Sequence, residues 1–417
     1  MPNILEKQGY KYTEEFGYIP EDWEVKKFEE SFSFLQTNSV TRAELSDEGA
    51  VKNIHYGDIL INYPNVLKYS EIKTYLNSNN PNNLKFVKNG DIIIADTAED
   101  ETVGKTVELQ GLNDNEKVVS GMHTMFCRPK DENEFASGYL GYFINSNTYH
   151  NQLLPLITGI KVSSISKMGI KTTKIIIPDY TEQRKISEVL GDVDSLIDKT
   201  QQLINKKKYL KISTMQKLLT PREDWRFVEL NTIVDFVIDN RGKTPPLANI
   251  GFPLFEIASL VNNKIDYSKV TKYVDKETYY NWFRNTLEDG DVLISTVGTT
   301  GAASYYSGKI KGAIAQNIIG LRFSKQNSLF MTYFLSSAHF NKLVKSIQMN
   351  QVQASVKVPQ LLELKVKIPI LVEQNKIATI LSDMDSEIEA LEKELNKYKD
   401  LKSGMMQQLL TGKVRLI

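Results

Sequence analysis

Along two stretches of this chain, apolar residues recur at alternating steps of four and three. The clearer run is Ile377, Leu381, Met384, Ile388, Leu391, Leu395 and Tyr398, followed by Met405 and Leu409. The other is Ile186, Leu190, Val193, Ile197 and then Ile204. This is the a/d stripe of a heptad and predicts two long helices. The stretches are copies: residues 177–220 and 368–411 align without a gap at an offset of 191 (368 minus 177), with about half the positions identical. Both begin with Ile-Pro, carry Glu-Gln (Glu182-Gln183, Glu373-Gln374) and end in Met-Gln-x-Leu-Leu-Thr. A helix of about 35 residues spans roughly 50 Å and cannot bury such a stripe alone. Because the chain connects the stripes through a large module, an antiparallel coiled-coil pair is expected. The alternative is two surface helices on separate cores. Lys402 breaks the second stripe; Thr200, Lys207 and Lys211 weaken the middle of the first. Asp179 with Glu182 reads as a capping box at the first helix start. The second copy has Ile370 instead and is expected to fray more, or to be held by packing.

Between and before the helices the pattern changes to short apolar runs separated by Gly and Asn turns. Asp22-Trp23 opens the first such region and Asp224-Trp225 the second, each followed by alternating apolar residues that predict a strand. NGDIII at 89–94 matches DGDVLI at 289–294, a turn followed by a β-branched run. A further GDILI at 57–61 belongs to the first region only. The reading is a mixed α/β (α+β) protein with two pseudo-repeated globular domains. The expected boundaries are 1–176, 177–220 (helix), 221–367 and 368–417 (helix and tail). Trp23 and Trp225 are expected as core anchors. The loops diverge more than the framework, which predicts one scaffold presenting two surfaces.

Composition narrows the choices. A length of 417 suits two or three domains. Lys+Arg and Asp+Glu are both 51, so any phosphate-binding surface must be a local patch. A lone cysteine, Cys127, excludes an intrachain disulfide and a cysteine zinc site. The start of the chain lacks a signal-peptide core and no stretch approaches eighteen apolar residues, so a soluble cytoplasmic protein is expected. There is no N/D-P-P-Y/F methylation motif and no G-x-x-x-x-G-K-[ST] loop for ATP. His55, His123, His150 and His339 are scattered without metal-ligand spacing, and no metal or catalytic site is expected. Pro178-Asp179 near Lys185 faintly echoes a nuclease pattern; its place at a helix start explains it more simply.

If the two modules bind nucleic acid, they need Lys and Arg for phosphates and Arg, Asn, Gln or Ser for base edges. Four loops offer them. Residues 348–359 carry Asn350, Gln351, Gln353, Ser355 and Lys357, and residues 158–169 carry Lys161, Ser163, Ser164 and Lys167. Arg241, Lys243 and Thr244 form a third candidate, and Gln316 with Asn317 a fourth.

The tryptophan heading each module, the GD-[IV]-[IL]-I strand, the IP…EQ…I…L…D helix ending in LLTGK, the closing LLTGKVRLI and the RGKTPP run at 241–246 resemble, as an ordered set, the specificity subunit of type I restriction-modification systems. That resemblance implies two target recognition domains, each reading half of a split double-stranded DNA sequence, the first module the 5′ half. It implies paired helices that set the distance between halves and dock two methylation (M) subunits, with restriction (R) subunits joining the complex. It implies no catalysis by this chain. The methyl donor S-adenosylmethionine and ATP would be bound by partner subunits, and adenine methylated on opposite strands of the two halves. A two-headed protein-binding scaffold without DNA recognition is the reading of a different class.

Overall fold

Glu24–Lys27, just past Trp23, pairs antiparallel with Lys174–Ile177, the strand that leads into the first long helix. Arg226–Glu229, just past Trp225, pairs the same way with Lys365–Ile368. Each module therefore opens and closes on one two-stranded ribbon, and the helix departs from it. These features come from a computed structural model, which describes residues 9–77, 84–159, 161–240, 242, 244–298, 300–348 and 355–417. The chain forms two compact units, Met1–Gln201 with Glu394–Ile417, and Gln202–Lys393. Each unit holds one module and part of both long helices.

The first module is built on a five-stranded sheet in the order Phe32–Leu35, Thr124–Pro129, Ile92–Ala95, Thr106–Gln110, Val66–Lys68. Its pairs are antiparallel except the last. The second module is built on a six-stranded sheet in the order Phe236–Ile238, Ile318–Arg322, Val292–Ser295, Ala303–Tyr305, Lys264–Ile265, Leu260–Val261. The two NGD/DGD motifs start equivalent central strands. Gly90 and Gly290 sit at φ 82° and 91° in the preceding turn, a conformation glycine adopts without steric cost. Asp91 and Asp291 then turn inward and each takes a two-pronged ion pair, from Arg128 and Arg322 respectively. The same letters at 57–61 make a helix instead. Tyr56–Ile61 is capped by the His55 ring, which accepts the Gly57 N–H.

The long helices run Tyr180–Leu219 and Leu371–Leu409. Within each unit they pair antiparallel. Lys402 meets Asp194 at 2.6 Å in the first unit; Lys207 meets Glu387 at 2.6 Å and Lys211 meets Asp385 at 2.5 Å in the second. Ile186, Leu190, Val193, Ile204, Ile377, Leu381, Ile388 and Leu395 are buried. Ile197, Met384 and Leu391 are half-buried. The stripe has two partners, not one. Ile186 and Leu190 join the first module's core together with Leu409, the last residue of the opposite helix, and Leu410 just past it. Ile377 and Leu381 join the second module's core together with Leu219. Each helix leaves directly from its module's last strand, so its first turns must cover that module.

The Glu-Gln motif anchors these starts. Gln183 donates to the Pro178 carbonyl (2.9 Å) and accepts the Ala136 N–H (2.9 Å); Gln374 does the same with Pro369 and Asn327. Glu182 does not close the expected capping box. Its carboxylate instead accepts from the Trp23 indole (3.0 Å) and from Arg415 (2.8 Å), while Asp179 alone caps by accepting the Thr181 N–H. In the second unit Glu373 pairs with Arg222, and Trp225 Nε1 is buried with no acceptor among the described residues. Both tryptophans are core residues, 0% and 4% exposed.

Candidate nucleic-acid interface

Loops from distant parts of each module meet beside the end of its central strand. In the first module Ile92–Ala95 runs out into Asp96, whose N–H donates to the His123 carbonyl (3.1 Å) and whose carbonyl accepts from Ile165 (3.0 Å). Thr97 and Ala98 then pair antiparallel with Ser164 and Ser163. The loop 158–164 is closed on itself by reciprocal Thr158–Ser164 backbone bonds of 3.0 and 2.8 Å. Lys161 and Val162 at its tip are exposed. A cleft of about 450 Å³ lies among Tyr56, Ile61, Thr97 and Val162.

A line of polar and aromatic side chains continues from there. His123 lies 3.8 Å from the Asp96 carboxylate and edge-on to Tyr56, ring centroids 5.3 Å apart. Tyr56 packs on His55 at 4.6 Å, and the Arg42 guanidinium reaches His55 and Asp58, each at 3.4 Å. Burial first, and Arg42 second, push the His55 imidazole below its ordinary pKa, so it stands as a neutral acceptor for Gly57 N–H. His123 holds a left-handed backbone, φ 57°, uncommon for a non-glycine residue.

The second module repeats the arrangement with other side chains. Thr296 follows the central strand; its N–H donates to the Asn317 carbonyl (2.9 Å) and its carbonyl accepts from Val356 (2.8 Å). Val297 bridges to Ser355. Gln316 donates to the Thr244 hydroxyl at 2.8 Å, so two of the loops picked out by sequence touch. Asn317, Thr244 and Lys357 are exposed, the last as N-cap of the helix Val358–Leu362. Thus Asp96 corresponds to Thr296, His123 to Asn317 and Ser164 to Ser355. Arg241, Lys243, Asn350, Gln351 and Gln353 lie outside the described residues. Lys167 is exposed at the start of the helix Lys167–Thr172 and projects over the Phe34 ring, 5.7 Å from its centroid.

Tyr56, Asp96, Thr97, His123 and Thr296 were not among the sequence candidates. One signal for His123 was present: GMHT and AQNI each precede the strand that pairs with the NGD strand, which aligns His123 with Asn317.

A family model described as the type I restriction modification DNA specificity domain matches the chain twice, at residues 20–208 and 222–398. The chain belongs to this family. Its relatives include the "Putative type I restriction enzyme MjaX specificity subunit" of Methanocaldococcus jannaschii, 25% identical over 444 residues that cover 99% of this chain and 98% of that protein. The EcoKI specificity subunit of Escherichia coli is 22% identical over 303 residues, 67% of this chain and 65% of that one. The fold is similar to the type I S subunit from M. genitalium, with TM-score 0.55, 16% identity and coverage of 93% and 96%. It is also similar to a chain from a structure of type I R-M complex assembly, with TM-score 0.56, 18% identity and coverage of 95% and 99%. A DNA specificity match over both modules makes this a DNA sequence-specificity subunit and does not favour the protein-binding scaffold. No helix among the described residues is long and apolar enough to cross a membrane.

Proposed function

We propose that this specificity subunit reads a split double-stranded DNA target, one half with each module, and directs partner subunits to it in the cytoplasm. The duplicated loop cluster carries the reading. Equivalent backbone hydrogen bonds hold Asp96, His123 and Ser164 in one module and Thr296, Asn317 and Ser355 in the other, so one scaffold presents two chemistries. In the second module Asn317 and Gln316 have the amide groups that pair bidentately with adenine. In the first, His123, Arg42 and Lys161 supply donors and positive charge, with Asp96 able to accept from cytosine. The first module takes the 5′ half. Two M subunits dock on the paired helices and supply S-adenosylmethionine and adenine methylation, and R subunits bring ATP-dependent cleavage. This chain contributes position and no catalytic group.

The test is a genome-wide map of methylated adenines in cells carrying the chain with its M and R partners. The expected map is one motif of two short defined halves separated by an undefined spacer, methylated on opposite strands. A continuous motif, or methylation independent of this chain, would overturn the reading.

A further inference from the structure

Two of the lysines that interrupt the apolar seam, Lys402 and Lys211, are the third members of a repeated side-chain triad. In the first unit Tyr142 donates its hydroxyl to Asp194 (2.9 Å), and Lys402 meets the same carboxylate (2.6 Å) while lying 5.4 Å from the Tyr142 ring centroid. In the second unit Tyr333 donates to Asp385 (2.7 Å), and Lys211 meets that carboxylate with its ammonium 5.5 Å from the Tyr333 ring. Each member is 191 positions from its counterpart (333 minus 142, 385 minus 194, 402 minus 211). The tyrosine comes from the module, the aspartate from the helix leaving that module, and the lysine from the other helix. On both helices the lysine lies 17 positions past the aspartate (211 minus 194, 402 minus 385). In an antiparallel pair, equal separations let both contacts form together in one register, and a slip in either direction breaks both.

We propose that the Tyr142–Asp194–Lys402 and Tyr333–Asp385–Lys211 triads are register locks of the helix pair. On the reading of a split DNA target, they are positioning residues for the spacer length the enzyme accepts. An apolar stripe repeating every three or four residues tolerates a shift by a turn or a heptad, because Leu, Ile and Met replace one another in its contacts. A buried charge does not tolerate it: a slip would strand Asp385 and Lys211, 8% and 9% exposed, without a counter-charge. A one-turn slip moves a helix about 5.4 Å along its partner, more than the roughly 3.4 Å rise of one base pair. The tyrosine ties the lock to the module and fixes the helix against the body that carries the loops.

The test replaces both triads with apolar residues of similar size, Tyr→Phe, Asp→Leu and Lys→Met at all six positions, in the full chain assembled with its methylation partners. Such replacement of buried ion pairs keeps the fold, so loss of register is separable from loss of structure. Cysteines introduced at the exposed Lys206 and Lys393 in the second unit carry spin labels; the native Cys127 is buried. The wild-type lock predicts one narrow label distance, and the apolar variant a broad or double one. Methylation of duplexes bearing the mapped half-sites at native spacing, and at one base pair more or less, reads function. The variant should lose about tenfold of its discrimination against altered spacers while keeping the half-site bases. Exchanging Lys211→Asp with Asp385→Lys should restore part of the loss that either change causes alone. An apolar variant with one narrow distance would overturn the lock. A broadened distance with native spacer discrimination would overturn the positioning role. A wild-type enzyme indifferent to spacing would overturn the split-target reading and the spacer role with it, while the distances still judge the lock.

Discussion

Trp23 and Trp225 occupy equivalent core positions but should respond oppositely to removal of the indole N–H. Trp23 Nε1 donates to the Glu182 carboxylate at 3.0 Å, and hydrogen bonds to charged groups contribute about 1.5–3 kcal/mol. Trp225 Nε1 is buried without an acceptor among the described residues, a state that costs about 1–3 kcal/mol. Replacement by phenylalanine leaves a small void at either site, a loss of about 1–2 kcal/mol. An arginine lies over each ring, Arg415 at 5.4 Å and Arg222 at 5.6 Å, so that contribution largely cancels in the comparison. Trp23→Phe should therefore cost roughly 2.5–5 kcal/mol, and Trp225→Phe between about −2 and +1 kcal/mol. Two units need not unfold together, so hydrogen exchange read separately in Ile92–Ala95 and Val292–Ser295 is the suitable assay. The first strand should exchange roughly a hundredfold or more faster in Trp23→Phe, and the second should stay near wild type or slow in Trp225→Phe. Equal acceleration in both would refute the assignment of the indole contacts.

Lys211→Ala leaves the buried Asp385 carboxylate with the Tyr333 hydroxyl as its one remaining partner among the described residues and should cost about 3–5 kcal/mol in the second unit. Lys402→Ala should cost less, because the Asp194 pair is more exposed; denaturant melts of the two variants compare them. Arg415 holds the Asp22 carboxyl below its ordinary value of 3.8. Stability from that contact is then present above pH 3.8 and is lost as pH falls through the lowered folded value. Asp22→Asn should abolish that acid-side dependence, read as amide exchange of residues 412–417 against pH. Lys161→Ala and Lys357→Ala should weaken binding of the assembled enzyme to all duplexes alike and reduce the salt slope by about 1. A sequence-selective loss in a salt titration would assign those lysines to base reading instead.

Local features were legible in the sequence, and features decided by distant partners were not. The strands after Trp23 and Trp225, the glycine turns at 90 and 290 and the two long helices follow from spacing and turn chemistry, and all form where expected. GDILI misleads because a four-letter likeness cannot show that Asp58 faces Arg42 and caps nothing like the Arg128 pair of Asp91. Glu182 looks like a capping-box residue until Arg415, 233 positions away, claims its carboxylate. Lys402 and Lys211 look like defects in a seam because their aspartate and tyrosine come from other elements. The loop cluster is half legible: the chemistry of Ser164, Ser355, Gln316, Asn317 and Thr244 marks them in the sequence. His123 carries no signal as a metal ligand by sequence spacing; its surroundings come from Asp96 and Tyr56 arriving beside it in the fold.

The central claim is that each module reads its own half of the target. It is tested most directly by mapping methylated adenines for His123→Ala and Asn317→Ala, separately, in the assembled enzyme. The equivalent placement of these residues predicts a change confined to the 5′ half for His123→Ala and to the 3′ half for Asn317→Ala, each discriminating one base less by about 1–3 kcal/mol. Altered bases in both halves from either single substitution would contradict it.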